Sequence, residues 1–96
     1  MLRRKAILME AGDNVATVVV QIDGGEEIIV ETDKQKFVVH VMENIPFGHK
    51  FAIRDISKGD LIIKYGEPIG AARTDIKTGQ HVHVHNLESR RGRGDR

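Results

Sequence analysis

The sequence predicts an all-β domain, built from short strands that are joined by tight turns and with little helix. The first observation is that apolar residues occur in short runs rich in valine and isoleucine rather than at helical spacing. The second is that glycine and polar residues separate these runs, as turns require. The third is that Pro46 and Pro68 both lie beside predicted turns, where a missing N–H group is tolerated.

Six runs along the chain have the composition or the alternation of strands. They are residues 15–22, 26–30, 37–42, 61–65, 68–72 and 81–85. Gly24 and Gly25 predict a turn between the first two runs, and Gly66 with Glu67 predicts a hairpin between residues 61–65 and 68–72. The last run alternates histidine and valine, which is typical of a half-buried strand.

A six-residue pattern, Asx-Ile-x-x-Gly-polar, recurs three times, at residues 44–49, 55–60 and 75–80. We expect each copy to form a tight turn, because the Asx side chain can accept backbone N–H groups and glycine tolerates the left-handed conformation. The isoleucine would anchor the turn to the core. The repeat favours a compact sheet sandwich with pseudo-symmetric halves; independent use of the same turn chemistry is the alternative.

Length and composition limit how much the chain can stabilise itself. Its 96 residues suffice for one domain, and the absence of cysteine excludes disulfides and thiolate metal sites. Apolar residues make up 40% of the chain but aromatic residues only 4%, so the core must consist of valine, isoleucine and alanine. Domains this small often depend on association, and we therefore expect a partner chain or a homo-oligomer.

The N-terminal region resembles neither an export signal nor a membrane anchor. Arg3, Arg4 and Lys5 are followed by an apolar stretch that ends before Glu10. A secretory signal needs an apolar region of roughly 7–15 residues, and a membrane-spanning helix needs about 20. These features, together with the lack of cysteine, predict a cytoplasmic protein without membrane contact.

Charge is distributed unevenly along the chain. Residues 1–48 carry 5 basic and 8 acidic side chains, whereas residues 49–96 carry 10 basic and 6 acidic ones. Much of the difference comes from the tail, with Arg90, Arg91, Arg93 and Arg96. Such a tail can contact nucleic acid, an acidic protein surface or neither. The scarcity of aromatic residues for base stacking argues against nucleic acid.

The histidines at positions 81, 83 and 85 provide the clearest chemical signal. On a strand they share one face, with neighbouring members about 6.5–7 Å apart. Two of them can therefore bind one divalent metal ion, with a third ligand from His49, a carboxylate or a partner chain. Imidazole with oxygen ligands suits Zn, Fe, Mn or Ni. The alternative is the polar outer face of an edge strand.

Three stretches together carry a resemblance to a known family: residues 45–56, 63–70 and 81–87. They contain, in order, Gly48-His49-Lys50, Ile63-Lys64-Tyr65-Gly66 and His85-Asn86-Leu87. In combination they resemble the N-terminal SAF-type domain of altronate and galactarate dehydratases. The same module is similar to the separate small subunit of sulfolactate sulfo-lyase. Residues 1–44 agree with it only in their general β character.

The resemblance implies a β-clip fold, a long folded hairpin of short strands, over residues 1–88. Residues 89–96 would be a basic C-terminal tail, or the remnant of the linker that leads to the large domain in fused members of the family. It also implies a partner, the large catalytic dehydratase subunit, as a separate polypeptide. The substrate would be a sugar acid, or sulfolactate in the related enzyme.

The family reaction that the resemblance implies is β-elimination from an acid to give a 2-keto acid, with Fe²⁺ or Mn²⁺ held here or by the partner chain. Catalytic roles would fall to His49, Lys50 and Arg54, metal binding to His81, His83 and His85, and binding of the substrate carboxylate to Lys64. The chain is then a hydro-lyase subunit that is inactive alone. The alternative is a non-catalytic SAF module that binds carbohydrate or scaffolds a complex.

Overall fold

The chain folds as an all-β domain, as the sequence predicts. The structure, a computed structural model, describes residues 5–31 and 36–89, with the exception of the Phe37 side chain. Within these ranges there are nine strands and no helix. The strands are β1 (Ala6–Ile7), β2 (Val15–Val18), β3 (Glu27–Glu31), β4 (Lys36–His40), β5 (Lys50–Ala52), β6 (Leu61–Lys64), β7 (Glu67–Ala72), β8 (His81–Val82) and β9 (Leu87–Ser89).

The strands form three antiparallel sheets rather than the two facing sheets of a compact sandwich. The central sheet has the order β1-β2-β5-β8, β3 pairs with β4, and the third sheet has the order β6-β7-β9. The molecule is elongated, with extents of 47 × 26 × 20 Å. This shape agrees with a long folded hairpin, so the expectation of a compact sandwich is wrong.

Two apolar cores lie on opposite faces of the central sheet. Successive side chains of a strand point to opposite faces, and accordingly Phe51 belongs to one core and Ala52 to the other. The core on the Phe51 face is the larger and reaches the β3–β4 hairpin. Both cores consist mainly of valine, isoleucine and alanine, as the composition predicts.

The repeated turn occurs four times rather than three. The additional copy, residues 21–26, has Gln21 where the others have Asx, and this substitution hides it from the sequence pattern. The four copies form two pairs through the bridges Ile22–Ile45 and Ile56–Ile76. The glycine of each copy has a positive φ, between 83° and 97°, and its amide donates to the backbone carbonyl at the end of the strand that leads into the paired turn.

The Asx side chains act across each pair of turns rather than within their own turn. Asn44 accepts the amide of Gly24, and Asp75 accepts the amide of Lys58, at 2.8 and 2.9 Å respectively. Asp55 accepts both the amide and the hydroxyl of Thr78. The expected acceptor chemistry is present, but it joins two turns and so stabilises contacts that are distant in sequence.

Two predicted strands are shorter than the sequence indicates. The run at residues 15–22 ends its pairing in β2 at Val18 and then bends into the first turn copy, and the run at 81–85 is a strand only over His81–Val82. The strands β1, β5 and β9 have two or three residues each and carried no recognisable pattern.

None of the described residues forms a helix long and apolar enough to cross a membrane. The tail was predicted to comprise residues 89–96; its four arginines lie among residues 90–96, outside the described residues.

Candidate active and metal site

Strand register places three histidines together at the edge of the central sheet. In the β5–β8 pair, Lys50 lies opposite Val82 and Phe51 lies opposite His81. One further step of this register sets His49 opposite His83, on the same face as His81. The site is therefore built from two segments that are more than thirty residues apart in sequence.

The three imidazoles are stacked and their nitrogens converge. His49 and His83 have ring centroids 4.1 Å apart, and His49 Nδ1 lies 2.9 Å from His81 Nε2. One nitrogen atom of each ring lies within 4.8 Å of those of the other two, and all three residues are half-buried. One of the two nitrogens in the His49–His81 contact must donate and the other accept, because a neutral imidazole carries a single N–H.

The surroundings favour the neutral form of two of the three imidazoles, those of His81 and His83. Burial lowers the pKa of His81, and the positive charges of His85 and His49 lower it further, against a smaller opposing effect of Glu43. The pKa of His83 is lowered by burial and then by the charges of His49 and Lys50. Neutral imidazole is the form that binds metal ions and accepts protons. His81 and His83 are therefore suited to either role.

The lowered pKa values predict that acid destabilises the metal-free chain. In the unfolded chain these histidines take up protons as the pH falls through about 6.5, whereas in the folded chain His81 and His83 stay neutral to lower pH. The unfolded state then binds more protons, so the free energy of unfolding should decrease below about pH 6.5. NMR titration of the imidazole protons together with denaturation at several pH values checks this expectation; ordinary midpoints for both rings would contradict it.

Asn86 fixes the backbone of the two histidines on β8 and just beyond it. Its Oδ1 accepts the amide of His83 at 3.0 Å, and its Nδ2 donates to the carbonyl of His81 at 2.8 Å. The Asn86 and Leu87 amides both donate to the carbonyl of His83. These bonds turn the chain after Val82, which is why the predicted strand over residues 81–85 is present only at His81–Val82. Sequence reasoning did not assign a role to Asn86, although it is buried.

We expect Asn86→Ala to destabilise the fold by about 2–4 kcal/mol, because the buried Asn86 side chain loses two hydrogen bonds to a half-buried segment. The His81 and His83 imidazole resonances should broaden or shift as the segment loosens. Asn44→Ala is the matched control, since the Asn44 side chain is exposed and makes one bond to Gly24; it should cost less than about 1 kcal/mol. Equal losses for the two variants would show that Asn86 has no special role.

His85 and Arg54, which the sequence also predicted as site residues, lie outside the group of converging nitrogens. His85 is exposed and its ring lies 5.2 Å from that of His81, tilted by 39°, outside the group of three converging nitrogens. Arg54 is exposed, and its guanidinium donates to the carbonyl of Asp13 at 3.2 Å. Arg54 therefore supports the region around the β6–β7 turn rather than the imidazoles.

Asp13 was not singled out by the sequence, although its carboxylate is fully buried. It accepts the amides of Tyr65 and Gly66, which both have positive φ in the β6–β7 turn, and also that of Glu10. A conformation that is unusual for tyrosine is thus stabilised by a charge-assisted acceptor. We regard the Asp13 carboxylate as structural, because the hydrogen bonds it accepts all come from backbone amides.

Lys50 on β5 and Lys64 on β6 form a second group of donors, close enough for the charge of Lys64 to act on Lys50. Lys50 is half-buried and its pKa is lowered by burial and by the charge of Lys64. Thr17 lies directly opposite Lys50 in the β2–β5 register, and its buried hydroxyl has no hydrogen-bond partner among the described residues. Lys50 and His49 are neighbours on an extended segment, so their side chains point to opposite faces of the sheet. The charge of Lys50 nevertheless lowers the pKa of His83. The two ammonium groups can donate hydrogen bonds to an anion.

The sequence matches the model of a protein family over residues 4–90, nearly the whole chain. That family is described as the altronate/galactarate dehydratase SAF domain. The match includes residues 1–44 almost completely, although this part showed only general β character when the sequence was considered alone.

Individual relatives fall into two kinds. The chain is 44% identical over 83 residues to altronate dehydratase of Escherichia coli K12, covering 86% of this chain but only 16% of that protein. It is 36% identical over 89 residues to (2R)-sulfolactate sulfo-lyase subunit alpha of Chromohalobacter salexigens, covering 88% of this chain and 94% of that one. The corresponding subunit alpha of Paracoccus pantotrophus is 40% identical over 63 residues. The chain is thus similar to a small part of one enzyme and to nearly all of a subunit of another.

Proposed function

The chain belongs to the altronate/galactarate dehydratase SAF domain family, and from this we propose that it is the small subunit of a lyase whose large catalytic subunit is a separate polypeptide. The near-complete coverage of sulfolactate sulfo-lyase subunit alpha supports the role of a subunit. The convergence of His49, His81 and His83 is the observation that supports a role for this chain in the active site. We propose the cytoplasm as its location.

The reaction that we propose is β-elimination from a hydroxy acid. A base removes the proton α to the carboxylate, the group on the β carbon leaves with its bonding electrons, and the enol product becomes a 2-keto acid. Water leaves from a sugar acid such as altronate or galactarate, and sulfite leaves from sulfolactate. Among the described residues, the lowered pKa values of His81 and His83 favour the neutral imidazole, which can accept a proton at a ring nitrogen that holds no metal ion. Lys50 and Lys64 are suited to hold a carboxylate.

The three imidazoles also fit a divalent metal ion. They offer three nitrogen ligands within 4.8 Å of one another, and burial keeps His81 and His83 neutral. When bound, the metal would supply Lewis-acid polarisation of a carboxylate oxygen. Of the two metals that the resemblance implied, this all-nitrogen set suits Fe²⁺ better than Mn²⁺, which prefers oxygen ligands. We propose His49, His81 and His83 as the ligands, with His85 outside the set.

A shared active site explains why the cluster is incomplete. The converging group found among the described residues consists of histidines alone and contains no carboxylate. All three are only half-buried, so they face solvent in the isolated chain. Proton abstraction from carbon needs a site that excludes water and neutralises developing charge. We therefore propose that the large subunit covers the cluster and supplies the remaining groups.

A test of this function compares the chain alone, the large chain alone and the two together on altronate, galactarate and sulfolactate with Fe²⁺ or Mn²⁺. The expected result is 2-keto acid formation only in the mixture and with one of these substrates. If the large chain turns over all its substrate equally well without this chain, the chain is instead a non-catalytic carbohydrate-binding or scaffolding module.

A further inference from the structure

The two most exposed large apolar side chains of the described residues both flank the histidine cluster. Phe47 is 71% exposed and Val84 is 72% exposed. Phe47 precedes His49 by two positions, and Val84 directly follows His83. Because the rings of His49 and His83 are stacked at 4.1 Å, the segments that carry Phe47 and Val84 lie side by side. Exposed side chains of this size next to a functional cluster indicate a contact surface.

A third exposed apolar residue extends this surface on the side of His81. Met42 is 57% exposed, and its amide donates to the carbonyl of Gly79, two positions before His81. The neighbouring Glu43 accepts the amide of His81 at 3.0 Å. We define the apolar rim as Met42, Phe47 and Val84. Each of its members is adjacent, in sequence or through a backbone contact, to the segment of one of the three clustered histidines.

The rim differs from other exposed apolar residues in its position. Val38 is 60% exposed but lies on β4, in the separate two-stranded sheet. Leu61 and Tyr65 belong to the β6–β7 hairpin. Scattered apolar residues of this kind are normal on a protein surface. In the rim, exposed apolar side chains adjoin half-buried, stacked imidazoles, the combination found at an interface that encloses a site.

We propose that the apolar rim is the surface on which the large catalytic subunit docks, with the histidine cluster enclosed at its centre. This inference rests on the proposed function for the identity of the partner. In E. coli altronate dehydratase this domain corresponds to 16% of the chain, so a much larger protein body accompanies it there.

The test compares Val84→Lys with Val38→Lys, which change the same residue type at similar exposure in different sheets. The affinity of each variant for the large chain used in the activity assay is measured by biolayer interferometry. This measurement does not require that the mixture turns over substrate. Val84→Lys should weaken binding roughly 10- to 100-fold, because a charge is placed in an apolar contact. Val38→Lys should change it less than about threefold. Phe47→Ser is a second rim variant with the same expectation.

Each outcome decides the proposal. Equal effects of Val84→Lys and Val38→Lys, or the absence of any binding by the unchanged chain, overturn it. Binding without turnover removes the proposed lyase function but leaves the rim to be judged by the same pair of variants. Loss of self-association in Val84→Lys, seen by sedimentation while binding to the large chain is unchanged, would show that the rim joins two copies of this chain and would also overturn the proposal.

Discussion

Replacing His83 by alanine is expected to remove nearly all activity of the mixture of the two chains. His83 stacks on His49 at 4.1 Å and offers one of the three converging nitrogens. Loss of a ligand or of a proton acceptor at an active site typically lowers the rate by about 100-fold or more. The variant should also bind Fe²⁺ or Co²⁺ more weakly in the isolated chain, which titration calorimetry measures without a partner or substrate.

Two other histidines serve as controls for this experiment. His85 lies outside the converging group, and His40 is exposed on β4. Alanine at either position should leave metal affinity within about threefold, and His40→Ala should leave the rate of the mixture unchanged. Circular dichroism must show that His83→Ala is folded. Full activity and metal affinity in a folded His83→Ala protein would show that the cluster is only the polar edge of a strand.

The second large effect concerns the paired turns, where Gly79→Ala should prevent stable folding. A Cβ atom at Gly79 would lie 2.1 Å from the carbonyl oxygen of His40, a backbone atom that cannot move aside freely. Gly79 also has a φ of +92°, donates to Ala52 and accepts from Met42. We expect a loss of about 3 kcal/mol or more in the free energy of unfolding, a large part of the stability of a domain of this size.

Gly59→Ala separates the two causes of this loss. Gly59 occupies the same place in the paired turn with a φ of +91°, but a Cβ there would meet nothing within 4 Å. Its alanine variant should therefore lose only the backbone preference, about 1–2 kcal/mol. Urea denaturation of both variants gives the comparison. If the two lose the same stability, the close approach of Gly79 to the His40 carbonyl does not constrain the fold.

The all-β class was predictable because the longer strands have a strong local signal. Runs of β-branched residues identify β2, β3 and β4 without any knowledge of their partners. The strands β1, β5 and β9 were missed because two- and three-residue strands depend on pairing with distant segments. The fourth turn copy was missed because Gln21 breaks the Asx pattern, whereas its Ile22 and Gly25 are in place.

The site was predictable in part, for a physical reason that the structure makes plain. The alternation of His81, His83 and His85 indicated a shared face, and His49 was one candidate for a third ligand beside a carboxylate or a partner chain. The strand did not continue to His85 because the Asn86 side chain captures backbone groups of His81 and His83. An asparagine side chain that replaces the backbone hydrogen bonds of a sheet leaves no periodic pattern in the sequence. The hydrogen bonds of Asp13 and the position of Thr17 opposite Lys50 likewise depend on segments that are distant in sequence.

The central claim is that this chain contributes to the active site of a separate large subunit. The most direct test adds increasing amounts of the chain to a fixed amount of the large chain and measures 2-keto acid formation. The account predicts that the rate rises from near zero and saturates at a fixed stoichiometry, and that His83→Ala saturates binding without restoring the rate. A large chain that is fully active before any addition would contradict the account.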